Sequence, residues 1–199
     1  MSPRASKSVT LLELLISIVL IGLVILGLSN IESFCRNQLL TSDRRLKVQN
    51  EASFVLDHMA KHIGKAIGDA QNYPVDFNAN PGSIIIDRNN NGVRDIINPD
   101  NEERYRIAYE YNQAAHTVSY CSSYDTNSNQ CRSLAGPVIW EILASHIKNP
   151  PDIDTHGDET NYISVNITAC WDPTRACGTI NNPETTLRSR IIMPSVSIR

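Results

Sequence analysis

Proline is missing from the chain between Pro3 and Pro74. Nothing in that stretch carries the ring clash and lost donor that break a helix, so one helix is free to run through it. Charge is missing from Leu14 to Leu28, which excludes an ordinary solvated surface there. The five cysteines form no C-x-x-C and no C-x-x-C-H, so a thioredoxin-like motif and a c-type haem site are both excluded. No H-E-x-x-H and no nucleophile elbow occurs. The net charge of −3 gives no general nucleic-acid surface. Nothing calls for a haem or a nucleotide, and enzyme chemistry is not expected.

What is present begins with the apolar run. With its flanks it reaches from Val9 to about Ile31. A spanning helix needs roughly 20 apolar residues, so this run is expected to cross a membrane. Arg4 and Lys7 precede it, which keeps the N-terminus in the cytoplasm and places the rest of the chain outside. The stretch after Leu28, S-N-I-E-S-F-C-R, is a poor match to a signal-peptidase site. In an oxidising compartment the cysteines near one another in sequence, Cys121 with Cys131 and Cys170 with Cys177, are expected to form two local disulfides. Four cysteines allow three pairings, and the local one is favoured. Cys35 is left over and expected to be inert.

Apolar residues continue at Leu39, Leu46, Ala52, Val55, Met59, Ile63, Ala66 and Ala70, mostly three or four apart from Ala52 on. That spacing predicts an amphipathic helix, running on from the membrane segment to about Asn72. Arg44, Arg45, Lys47, Asp57, Lys61 and Lys65 take its other face. Beyond a loop at 73–82 the period changes to two. Strands are expected at Ser83–Asp87, Arg104–Asn112, Thr117–Cys121, Tyr162–Trp171 and Leu187–Ile198, with a hairpin joining the second and third. Pro194 argues for an edge position in the last. Pro137–Lys148 fits a short helix or a strand, and Asn149–Asn161 reads as a polar loop. The expected fold is α+β: a long N-terminal helix on an antiparallel β-sheet, with two disulfide-pinned loops.

A short basic leader, the small residue Ser8, then V-T-L-L-E-L-L-I-S-I-V-L-I-G-L resembles the class III signal of type IV pilins and pseudopilins. The family pattern is glycine, phenylalanine, then T-L-x-E-L. Ser8 takes the glycine place, Val9 the phenylalanine place, and Glu13 falls at the fifth mature residue. The resemblance implies a leader at 1–8 removed by a prepilin peptidase, a membrane helix at 9–31, an amphipathic continuation at 32–72 and a β-rich body at 73–199. It also implies methylation of the new Val9 amine. The body is expected in the periplasm, with the chain passing from the inner membrane into the tip of a pilus or pseudopilus. Major pilins of this class usually carry a proline in the membrane helix, and here there is none. The stretch I-I-I-D-R-N-N-N-G-V-R-D, the tyrosine-rich hairpin and the ending L-R-S-R-I-I-M-P-S-V-S-I-R look like PilW-type minor pilins. The J-type minor pseudopilin of type II secretion shares this plan. Expected partners are other minor and major pilin subunits, met through the N-terminal helix.

A plain signal anchor explains the span but not Glu13. A carboxylate at helix-centre depth costs about 2.5–3.5 kcal/mol on insertion scales, so it usually has a partner. The resemblance supplies one: the N-terminal amine of a neighbouring subunit, which makes Glu13 a registry device for assembly.

Asp87, Asn89, Asn91 and Asp95, with the Val93 carbonyl and the turn-forming Gly92, match the first part of a calcium loop. Its twelfth position is Asn98 in place of the bidentate glutamate, and Glu102 or Glu103 is near enough in sequence to reach back. The competing reading is a solvated Asn-Gly turn. With calcium, a membrane-anchored calcium-dependent binding module is a further function class. His58 and His62 have metal-pair spacing, but a solvated or intersubunit face is expected. Trp140 and Trp171 are expected in the core or an interface, and Arg188 and Arg190 on the solvent face of the last strand.

Overall fold

The computed structural model describes residues 10–69, 74–78, 80–86, 106–125, 128, 130–131, 140–155 and 161–197. It comprises two units, Met1–Asp43 and Arg44–Arg199. The sites expected at Ser8, Val9 and across Asp87, Asn89, Asn91, Val93, Asp95 and Asn98 lie outside the described residues, as do Glu102 and Glu103.

Helix α1 runs from Leu11 to Ile63 without interruption. In the first unit every described residue from Thr10 to Leu40 is exposed. Three hydroxyls of this long helix bond back to its own backbone. Ser17 donates to the Glu13 carbonyl at 2.7 Å, Ser29 to Ile25 at 3.0 Å and Thr41 to Asn37 at 2.9 Å. Such back-bonding hides a polar group against the helix's own backbone, which suits an apolar surrounding.

In the second unit the helix buries Val48, Ala52, Val55, Met59 and Ile63, spaced three or four apart. The stripe therefore starts at Val48. Leu39 and Leu46, assigned to it from the sequence, are exposed. The helix also ends at Ile63 and not near Asn72. Its last turn tightens into three-residue bonds, with Lys65 N–H on the His62 carbonyl and Ala66 N–H on Ile63. Gly64, a poor helix former, stands where the chain turns away.

Beyond it, β1 (Ile67–Asp69) leads to β2 (Val75–Asp76), β3 (Gly82–Ile84), β4 (Arg106–Asn112) and β5 (Thr117–Asp125), the last four forming consecutive antiparallel pairs from β2 to β5. Only glycine fits at Gly82, because a Cβ there would run into the Phe77 ring. The β4–β5 hairpin forms as expected. Asn112 Oδ1 accepts from the N–H groups of Ala114 and Ala115, an Asx turn that starts the reversal, and His116 completes it at φ 53°. On the far edge of β5 lie β6 (Gln130–Cys131) at one end and β7 (Glu141–Ala144) at the other. Within the segment that read as helix or strand, Glu141–Ala144 is strand, and residues 137–139 lie outside the described residues.

A second sheet has the order β10 (Glu184–Ile192), β9 (Tyr162–Cys170), β8 (Asp152–Asp154). The presumed polar loop at 149–161 contributes β8. The final strand is divided: Pro194 separates β10 from β11 (Ser195–Ser197), and β11 pairs in parallel with β1. Among the described residues the body holds three sheets, two antiparallel and one a short parallel pair. Bridges Ala66–Ile86 and Ile147–Ala169 link the pieces.

The core lies under the helix stripe. Ile163, Val165, Ile167 and Ala169 on β9, Ile107, Tyr109 and Tyr111 on β4, and Val118 on β5 meet Val48 to Ile63 there. Each large aliphatic so buried contributes about 1.5–3 kcal/mol, which fixes the helix to the sheets. On the other face of β4–β5, Ala108, Cys121, Tyr124 and Cys131 form a smaller cluster with Trp140 against it. The fold is α+β, with the long helix packed on antiparallel sheets. Both disulfides form as paired from the sequence: Cys121–Cys131 ties β5 to β6, and Cys170–Cys177 closes the loop after β9.

Candidate assembly site at the head of the helix

Thr10 and Glu13 open α1. The Thr10 N–H and hydroxyl both donate to Glu13 Oε2 at 3.1 Å, and the Glu13 N–H donates to Thr10 Oγ1 at 3.3 Å. This is a capping box: residues three apart satisfy each other's free backbone donors, and a carboxylate in the first turn also suits the helix dipole. The pattern T-x-x-E carries that signal in the sequence. Glu13 Oε1 has no partner among the described residues. From Leu11 to Ile31 the surface behind it is apolar and exposed, long and apolar enough to cross a membrane.

Glu51 fastens the other end of the helix to the body. Its Oε2 accepts from the N–H groups of Ser145 and His146, each at 3.1 Å, and the His146 ring Nδ1–H lies 2.8 Å from the carboxylate. His146 stacks on Trp171 at 5.5 Å, and Arg44 and Lys47 reach the same ring at 5.5 and 5.1 Å. No local sequence pattern marks Glu51, because its partners lie 94 and 95 residues away.

His58 and His62 do not form a solvated face. Both are half-buried against β4 and β5. His58 Nδ1 lies 3.0 Å from the Tyr109 hydroxyl, and Tyr120 sits 4.5 Å from the His58 ring and 5.3 Å from His62. Burial pushes His62 down to about 4, helped by His58, Lys61 and Lys65. Its buried Nδ1 has no hydrogen-bond partner among the described residues, which gives that shift a structural cause. Burial also lowers His58, against the pull of Glu141, and raises the Tyr109 phenol. Among the described residues no group of three or more His, Cys, Asp or Glu side chains is placed to hold a metal ion.

The remaining candidates fall as follows. Cys35 is exposed and unpaired. Trp140 packs on Tyr124 at 6.0 Å, and Trp171 joins the edge of the main core. Arg188 and Arg190 are exposed on β10 as expected, with Arg190 over the Tyr162 ring at 3.8 Å.

Residues 3–29 match the family model of the prokaryotic N-terminal methylation motif. The match covers Ser8, Val9, Thr10 and Glu13 and supports a type IV pilin-like or pseudopilin-like subunit held in the membrane by a single pass. A motif of this kind implies processing by a prepilin peptidase and assembly with other pilins. No curated protein and no solved structure matches the chain.

Proposed function

We propose that the chain is a minor pilin that primes or caps assembly of a type IV pilus, a structural subunit without catalysis. The observation that carries this reading is the head of α1: one carboxylate, half used in a capping box, at the start of an exposed apolar helix. Cleavage between Ser8 and Val9 leaves the Val9–Thr10 peptide N–H in place, so the capping box survives the cut. It releases an amine at Val9 as the partner for Glu13 of an adjacent subunit. An ion pair in low dielectric is strong when both members are present and costly when one is missing. A docked helix is favoured and a misregistered one penalised. Apolar contact along Leu14–Leu28 supplies the rest of the bundle. The proline-free membrane helix favours a minor subunit over a major one.

A minor pseudopilin of type II secretion would use the same anchor and the same pair. The phenotype of a deletion separates the two: loss of pili supports the pilus, and loss of secretion with pili intact supports the secretion system. N-terminal sequencing tests what they share. A mature chain beginning at methylated Val9 is the expected result, and an intact Met1 end on membrane-inserted protein would overturn both.

A further inference from the structure

Strand β10 is the end strand of its sheet, hydrogen-bonded to β9 on one side only among the described residues. An edge of nine residues is longer than the usual strand, and among the described residues its outer N–H and C=O groups have no ladder partner. At the start of the strand lies a groove of ≈ 280 Å³, lined by Arg45 and Gln49 of α1 and by Gly178, Thr179, Pro183, Glu184 and Thr185. The edge is also positively charged. Glu184, its one acid, is taken by Lys148 at 3.0 Å. Arg188 and Arg190 stand exposed on the outer face, two residues apart and therefore on the same side of the strand. Arg45 adds a third exposed cation at the groove.

We propose that β10 is a docking edge for an extended acidic segment of another polypeptide, which adds to the sheet as a strand. The backbone supplies register and alternate acidic side chains meet Arg188 and Arg190. A second copy of this chain is disfavoured in the two antiparallel registers that bring the arginines together. Antiparallel pairing of two β10 strands centred on Ser189 sets Arg188 opposite Arg190 twice, and centring on Arg188 sets that residue against itself. Like charges directly opposite destabilise a ladder. The same arginines that oppose those registers favour an acidic partner. The proposal uses the body alone and does not depend on the filament reading, so Glu13→Gln leaves it unchanged.

The test uses the full chain in detergent micelles and two fluorescein-labelled ten-residue peptides, one alternating Glu and Val, the other Lys and Val. Anisotropy should show binding of the acidic peptide, about tenfold weaker for the basic one and weakened by salt. Hydrogen exchange should show new protection across Glu184–Ile192. The exposed double substitution R188E/R190E keeps the backbone edge and should reverse the peptide preference, with unchanged circular dichroism confirming its fold. Failure of the acidic peptide to bind, equal binding of both peptides, protection confined to other strands, or self-association through β10 in place of peptide binding would each overturn the proposal.

Discussion

Thr10 and Glu13 hold each other at the head of α1, the Thr10 N–H on Glu13 Oε2 at 3.1 Å and the Glu13 N–H on Thr10 Oγ1 at 3.3 Å. The carboxylate thus has two separable properties: it is a hydrogen-bond acceptor for the cap, and it is a charge. A substitution that removes both cannot assign the assembly role to either.

Glu13→Gln keeps an acceptor at the capping position and removes the charge. Glu13→Ala removes both. Both variants should insert in the membrane. Both should lose assembly to a similar extent if the charge is what the neighbouring amine reads. Counting pili or secretion, beside membrane fractionation, checks this. Full assembly by Glu13→Gln with failure of Glu13→Ala would assign the residue to capping alone.

Glu51 accepts two backbone N–H groups and the His146 ring from one position on the helix. Glu51→Ala leaves those donors without their acceptor, at a cost of about 2–3 kcal/mol. Glu51→Gln keeps an acceptor oxygen and should cost less. Denaturant unfolding of the detergent-solubilised chain, followed by Trp171 fluorescence, measures both. Equal stability of all three proteins would show that water replaces the carboxylate at no cost.

These residues also show what was legible beforehand. The helix, the β4–β5 hairpin, the alternation on β9 and both disulfides follow from local patterns: period 3.6, period 2 and cysteine proximity. Helix termination did not. Ala66 and Ala70 continue the apolar spacing, but the chain leaves the helix at Gly64 because Ala66 and Ile67 bond to β-structure around Ile85 and Ile86. The parallel β1–β11 pair joins segments over a hundred residues apart, and no local signal encodes it. The histidines misled for a similar reason. A pair four apart on a polar-looking stretch of helix reads as solvated until Tyr109 and Tyr120 arrive from the hairpin. At the assembly site the glutamate was legible from its cost in an apolar run, whereas its cap required the geometry of Thr10.

His62 gives the body a pH dependence. The folded ring is held at about 4 against an ordinary value of 6.5. Between those values the unfolded chain takes up a proton that the folded chain refuses. Stability therefore falls as pH drops from 6.5 towards 4 and levels off below. The half-exposed ring limits the contribution to about 1–2 kcal/mol after solvent screening. His62→Phe keeps a ring against Tyr120 and cannot titrate, so the difference between variant and parent should grow on acidification. A difference that stays constant from pH 7 to pH 4 would remove His62 as the cause.

The Cys121–Cys131 bridge closes a separation of ten residues. Chain-entropy arguments give such a closure about 3 kcal/mol. The double variant C121A/C131A should unfold at lower denaturant by about that amount. Its loss should fall on the small cluster of Ala108, Tyr124 and Trp140 before the main core. Trp140 fluorescence in a Trp171→Phe background reads that cluster separately, and coincident loss of both regions would mean that the body unfolds as one unit.

The stretch from Asp87 to Asn98 carries the calcium proposal on its spacing alone. Oxygens at positions one, three, five, seven and nine suit a cation that takes six to eight ligands, and Gly92 supplies the sharp turn. Only Asp87 and Asp95 bring negative charge, offset by Arg88 and Arg94, and Asn98 cannot grip with two oxygens as a glutamate would. Weak binding follows, with a Kd of about 0.1–1 mM, the range of extracellular modules. Calorimetry on the full chain in detergent should show uptake near one equivalent, lost in D87N/D95N and unaffected by Glu13→Gln. Magnesium should bind more weakly, because it keeps its waters and demands octahedral geometry. No heat at millimolar calcium, or the same heat from D87N/D95N, would leave N-N-N-G as turn chemistry only.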